Sequence, residues 1–176
     1  MTVYSGPSQG YAIGRGVLVN VTVQVTRPAN TTAYASGDAL SDSTSAPTVL
    51  TLAGAAEENG HGGMIRGLTV VKSGTATTSA AFSILLFRNT FTALEDNAAA
   101  DPSDAESRTI IAGIALLEAD ALALGNNVVW SKTNLDIPFV CESTSDDLYL
   151  AVVWNAAYTP ASGEVFDFIF LIERSS

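Results

Sequence analysis

The sequence predicts an all-β domain, an antiparallel β-sandwich of jelly-roll type carried behind an N-terminal arm. Three observations predict it. Residues 17–25 alternate strictly: Val17, Val19, Val21, Val23 and Val25 fall on one parity, Leu18, Asn20, Thr22 and Gln24 on the other. That period of two marks a strand with one buried face. Eight or nine short runs rich in Val, Ile and aromatic residues follow one another, separated by Gly, Pro, Asn and Asp turn signals. No helical segment alternates with strands in a βαβ rhythm, which leaves two packed antiparallel sheets.

Taken in order, residues 1–16 (MTVYSGPSQGYAIGRG) are glycine-rich and show no sustained period, so they read as an arm outside the core. The sandwich domain is predicted over 17–176. The first strand, 17–25, ends at Arg27-Pro28-Ala29-Asn30, and 30–47 reads as a long loop of Thr, Ser, Ala and Asp. A short strand at 48–53 leads into the Glu57-to-Gly63 turn. A strand at 64–71 then reaches a turn at Lys72-Ser73-Gly74. Residues 80–88 (AAFSILLFR) are apolar enough for a strand in the middle of a sheet, and 89–107 form a polar excursion.

Residues 110–124 (IIAGIALLEADALAL) support two readings. Ala, Leu and Glu favour helix and Gly125-Asn126 would close one. Ile110-Ile111 and the neighbouring strands favour a strand at 109–117 followed by a loop or one helical turn. Strands are expected again at 127–131, 135–141, 148–155 and 165–173.

Composition sets the bounds on partners. A chain of 176 residues suits one domain. Of its hydrophobic residues 26 are Ala, so the core rests on 15 Val, 9 Ile, 16 Leu and 14 aromatics. Eighteen acidic against eight basic residues give a net charge of −10. Binding duplex nucleic acid requires Lys and Arg on phosphates, and anionic membranes ask for the same cations. Neither partner is expected, and no run approaches the ~20 apolar residues of a membrane helix.

Catalytic and metal motifs fail on their mechanics. Gly6-Pro-Ser8-Gln-Gly10 has the G-x-S-x-G spacing of serine hydrolases, but lacks a strand before it and a helix after it. His61 is the only histidine, set in Asn-Gly-His-Gly-Gly, and reads as a solvated turn residue. Zinc needs three or four ligands, which one His and the lone Cys141 do not supply. Asp96, Asp101, Asp104 and Glu106 crowd one segment, but with Ala98 and Ala100 where a calcium loop wants oxygens they read as a solvated acidic loop. Cys141 lies in an apolar run and is expected to be a buried, inert thiol. Trp130, Trp154 and Tyr158 could stack on a sugar, yet both Trp lie in strand runs and are expected in the core. No catalytic residue, cofactor or metal is predicted, and the chain reads as a structural or binding protein, not an enzyme.

Several segments together resemble small virion proteins of tailed bacteriophages. The first is Thr26-Arg27-Pro28-Ala29-Asn30-Thr31-Thr32-Ala33-Tyr34-Ala35-Ser36-Gly37-Asp38. Lys72-Ser73-Gly74 ahead of Phe82-Ser83-Ile84-Leu85-Leu86-Phe87 is a second, and Asp96-Asn97 a third. Ala157-Tyr158-Thr159-Pro160-Ala161-Ser162-Gly163-Glu164 is the last. Their order and spacing run over residues 20–172. The resemblance implies a capsid decoration (cement) protein, a β-sandwich on the outer surface of the virion that binds the major capsid protein of the assembled head and stabilises it. It also implies association with itself, as a dimer or trimer. The arm at 1–16 and the Ala-rich segment 94–126 have no counterpart in that pattern. Capsid contact is therefore expected at Tyr4, Tyr11 and Arg15, residue types enriched at binding hot spots and here set among glycines. The alternative is a receptor- or glycan-binding module of a tail or fibre, which would expose an aromatic groove.

Overall fold

A computed structural model describes residues 16–74 and 79–175 of the chain. Apart from Gly16, the predicted arm lies outside the described residues. The described residues form ten strands: β1 (Val17–Thr26), β2 (Ala39–Leu40), β3 (Leu50–Leu52), β4 (Gly62–Ser73), β5 (Phe82–Phe87), β6 (Ile110–Leu116), β7 (Ala121–Leu124), β8 (Asn127–Val140), β9 (Leu148–Trp154) and β10 (Val165–Arg174). One helical turn, α1 (Asp104–Ser107), and a 3-10 turn (Glu118–Asp120) accompany them.

All pairings are antiparallel, and a subset of them is nested. β1 pairs with β10, β2 and β3 with β9, β4 with β8, and β5 with β6. Successive nested pairs alternate between two sheets, β1-β10-β4-β8-β7 (sheet one) and β2-β9-β5-β6 with β3 also on β9 (sheet two). Rolling a folded-over chain in this way yields the jelly roll. β1 and β10 pair over their whole length, from Val17 against Arg174 to Thr26 against Val165.

Alternation places the core. On β10, Phe166, Phe168, Phe170 and Ile172 are fully buried, while Val165, Asp167 and Ile169 between them are half-exposed. Leu148, Leu150, Val152 and Trp154 of β9 face them from sheet two with Phe82, Ile84 and Leu86 of β5. Phe82 meets Trp130 of β8 edge to face at 5.2 Å, tying the sheets together at their centre. A second, smaller apolar cluster covers the other side of sheet two. Phe91 and Leu94 of the 88–107 excursion, with Val49, pack on Leu85, Phe87 and Ala151.

Four expectations are corrected. The β1 valines do share the inward face, but only Val23 and Val25 are buried; Val17 is 58% exposed, because the core narrows toward that end of the strand. Residues 127–131 and 135–141 are one strand. Arg66 of β4 sits opposite three residues of β8 in a bulge, and Asn134 and Asp136 absorb it with φ of 57° and 48°. Lys72 and Ser73 finish β4 instead of turning the chain. The strand expected at 109–117 and the helical turn after it form as β6 and the 3-10 turn, but 121–124, expected as loop, is the further strand β7.

Candidate functional site

Tyr4, Tyr11 and Arg15, and the G-x-S-x-G segment, lie outside the described residues. The other residues singled out in the sequence are scattered. His61 is exposed on its turn, with Nε2 3.7 Å from Glu58 Oε2. Cys141 is buried, and desolvation pushes its thiol up to about 11. Among the described residues no group of three or more His, Cys, Asp or Glu is placed to hold a metal ion. Trp130, Trp154 and Tyr158 are buried.

The acidic segment divides. Glu106 closes a capping box with Ser103 and also accepts from the Thr92 N–H, contacts that hold its carboxyl down at about 2. Asp96, expected in solvent, is 3% exposed, because a cation waits for it inside. Arg27 Nη2 pairs with Asp96 Oδ2 at 2.9 Å, and both side chains have no solvent exposure. Tyr34 donates its hydroxyl to Asp96 Oδ1 at 2.5 Å, the Ser41 N–H donates to the same oxygen at 3.0 Å, and Arg27 Nε donates to the Tyr34 hydroxyl. Burial and the bond to Asp96 raise the Tyr34 phenol above its ordinary range.

A second set repeats the plan with Lys72, Tyr158 and Glu164. Lys72 Nζ lies 3.4 Å from Glu164 Oε1 and donates to the Tyr158 hydroxyl at 2.9 Å, while that hydroxyl donates to Glu164 Oε2 at 2.7 Å. Desolvation pushes the Lys72 ammonium down, against the pull of Glu164. Tyr158 stacks on Trp154 at 4.3 Å, and Tyr34 packs on the same Trp at 5.2 Å. The segments that carry the virion-protein resemblance thus supply one buried assembly of two ion pairs around Trp154. Its role is to lock the 27–38 segment, which leaves β1, onto both sheets. The sequence held one signal for it: Lys72 continues the inward parity of Leu68 and Val70.

What remains accessible is distinctive at the level of whole faces. No Phe, Tyr or Trp among the described residues is exposed, and only Tyr149 is half-buried. The outer side of sheet two is covered by the 88–107 excursion, whereas no segment among the described residues packs over that of sheet one. Read across the ladders, its rows run Asn20–Leu171–Gly67–Thr133, then Thr22–Ile169–Thr69–Ser131, then Gln24–Asp167–Val71–Val129–Leu122. In these rows only Asp167 is charged, and it accepts from Gln24 Nε2 at 2.7 Å. Beyond them Glu173 is tied to Arg66 at 2.5 Å.

Leu122 and Leu124 on β7 and Leu171 on β10 are exposed on this face, at 59, 53 and 38%. A shallow depression of about 290 Å³ lies between Asn20, Thr69, Thr133 and Leu171, opened by the missing side chain at Gly67. Four strands of ten to fourteen residues and the four-residue β7 make a face about 24 Å across at its widest and about 33 Å long, roughly 700 Å². That approaches one partner's share of a standard protein–protein interface, about 800 Å². The sequence signal was the run of Thr, Ser and Asn on the outward parity, where an acidic protein usually places charge.

No protein-family model matches the chain and no curated protein matches it.

Proposed function

We propose that this protein is a bacteriophage capsid decoration protein that lays the bare face of sheet one on the major capsid protein at the outer surface of the assembled head. The carrying observation is an almost charge-free face of near interface size on a chain of net charge −10. Such a face has little charge to desolvate when covered, and the acids around it keep the unbound protein soluble. Stabilisation then comes from added buried area spanning neighbouring capsid subunits, with no chemistry required. The arm bearing Tyr4, Tyr11 and Arg15 supplies a second contact. A glycan-binding role on a tail or fibre is less well supported, because the described Trp and Tyr side chains that could stack on a sugar are packed inside.

The test is co-sedimentation with undecorated heads of the parent phage. Thr69→Glu/Thr133→Glu adds two charges to the face without touching the core. It is expected to weaken head binding by about a hundredfold while leaving the melting temperature in place. Removal of residues 1–15 is expected to weaken binding less. Full binding by the face variant together with loss on truncation would move the contact to the arm and overturn the sheet-face assignment.

A further inference from the structure

We propose that β1 pairs edge to edge with the β1 of a second copy about a two-fold axis, so that two five-stranded sheets become one sheet of ten strands. β1 is the terminal strand of sheet one, and its ten residues pair with β10 without a bulge. Alternate residues therefore turn their N–H and C=O away from β10, about ten backbone groups in all. Among the described residues, no backbone group bonds to that side of the strand.

Native proteins blunt such edges with lysines, prolines, bulges or shortness. β1 (VLVNVTVQVT) uses none of these. The other edges do: β2, β3 and β7 have two, three and four residues, and the 3-10 turn joins β6 to β7 as a corner.

Charge and pattern select a second copy as the occupant. Two chains of net charge −10 repel over most of their surfaces. Along β1 there is no charge to repel, and the nearest outward acids on β10, Asp167 and Glu173, are held by Gln24 and Arg66. The strand is also self-complementary. An axis through Val21 sets Val19 beside Val23 and Val17 beside Val25 of the partner, with both cores on the same side of the joined sheet. The exposed Val17 and half-buried Val19 of each copy then lie beside the buried Val25 and Val23 of the other. The join is isologous and closes after two copies. It selects the dimer from the dimer or trimer expected above, and it stands independently of head binding because it forms in free solution.

Sedimentation velocity of the full-length protein over a range of concentrations tests it. The expected result is a monomer–dimer equilibrium. Asn20→Glu/Thr22→Glu, both exposed on the outer side of β1, is expected to raise the dissociation constant at least about tenfold at unchanged melting temperature, since like charges face each other across the seam. Mixing Asn20→Cys chains with Thr22→Cys chains is expected to give an oxidised dimer, because residue 20 of one copy faces residue 22 of the other across the axis; the buried Cys141 does not compete. A monomer at every concentration overturns the pairing. A dimer indifferent to the glutamates and refusing the cross-link places the second copy elsewhere and overturns it too. Dimerisation only after removal of residues 1–15 makes the chain's own N-terminal segment the occupant of the edge, and the pairing is again overturned.

Discussion

Replacing Asp96 by asparagine removes one charge and almost no volume from the cluster around Trp154. Oδ1 can still accept from Tyr34 and the Ser41 N–H, but the atom 2.9 Å from Arg27 Nη2 becomes a donor facing a donor. The guanidinium, with no solvent exposure, is then left without a counter-charge. Breaking a buried pair from one side costs about 3–5 kcal/mol, a large part of the ~5–15 kcal/mol that holds a domain together. For a domain of this size the melting temperature should fall by about 10 °C. Urea unfolding followed through Trp130 and Trp154, both buried in the core, reads the loss directly, and the slope with denaturant should not change. Arg27→Met should cost a similar amount. The double variant should cost at least about 2 kcal/mol less than the two singles together, because neither partner is then stranded. A loss under about 1 kcal/mol for Asp96→Asn, or strict additivity, refutes the claim that the pair holds the 27–38 segment in place.

Two further outcomes follow from the same core. The fold keeps the Tyr34 proton that the unfolded chain gives up near its ordinary value of 10.0. The stabilisation is therefore complete below about pH 10 and falls by about 1.4 kcal/mol per pH unit above it. Lys72 acts oppositely: burial lowers its folded value, so its cost is relieved as pH rises toward 10.5. Urea midpoints should thus drop steeply only beyond that point, and Tyr34→Phe should flatten the drop; an unchanged slope in that variant sinks the assignment. Along β1, Val25→Asp should cost at least about 4 kcal/mol and Val17→Asp under about 1 kcal/mol, with Val21→Asp between them. Equal melting temperatures for the first two would mean the strand's burial gradient is wrong.

The strands legible in the sequence were those whose burial is one-sided and local. The valines of β1 and the Phe–Asp–Phe–Ile–Phe run of β10 show their period of two without help from any neighbour. β7 was illegible because its ALAL carries no such contrast; it is a strand through its pairing with β8. The break expected inside β8, at 132–134, falls at or beside two positive-φ residues, Asn134 and Asp136. They adopt turn-like dihedrals, but within a bulge that the ladder spans. The buried ion pairs failed for a different reason. Asp96 lies 69 residues from Arg27, so nothing near it in the chain distinguishes it from the solvated acids that follow. The bare face of sheet one was half visible, since outward parity can be read within each strand, but its being uncovered depends on where the 88–107 excursion lies.

The register of β1 on β10 also sets how the molecule responds to force. Val17 and Arg174 sit opposite each other at one end of the ladder, and Thr26 faces Val165 at the other. Tension applied between residues 17 and 174 loads the first rung alone, so the strands unzip bond by bond, each rung resisting with about 1 kcal/mol. Tension applied between residues 26 and 174 runs along the strands and loads every rung together. One seam is thus compliant or stiff according to the direction of pull. A tether at the Val17 end would let β1 peel away gradually under strain, while the rest of the sandwich kept its shape.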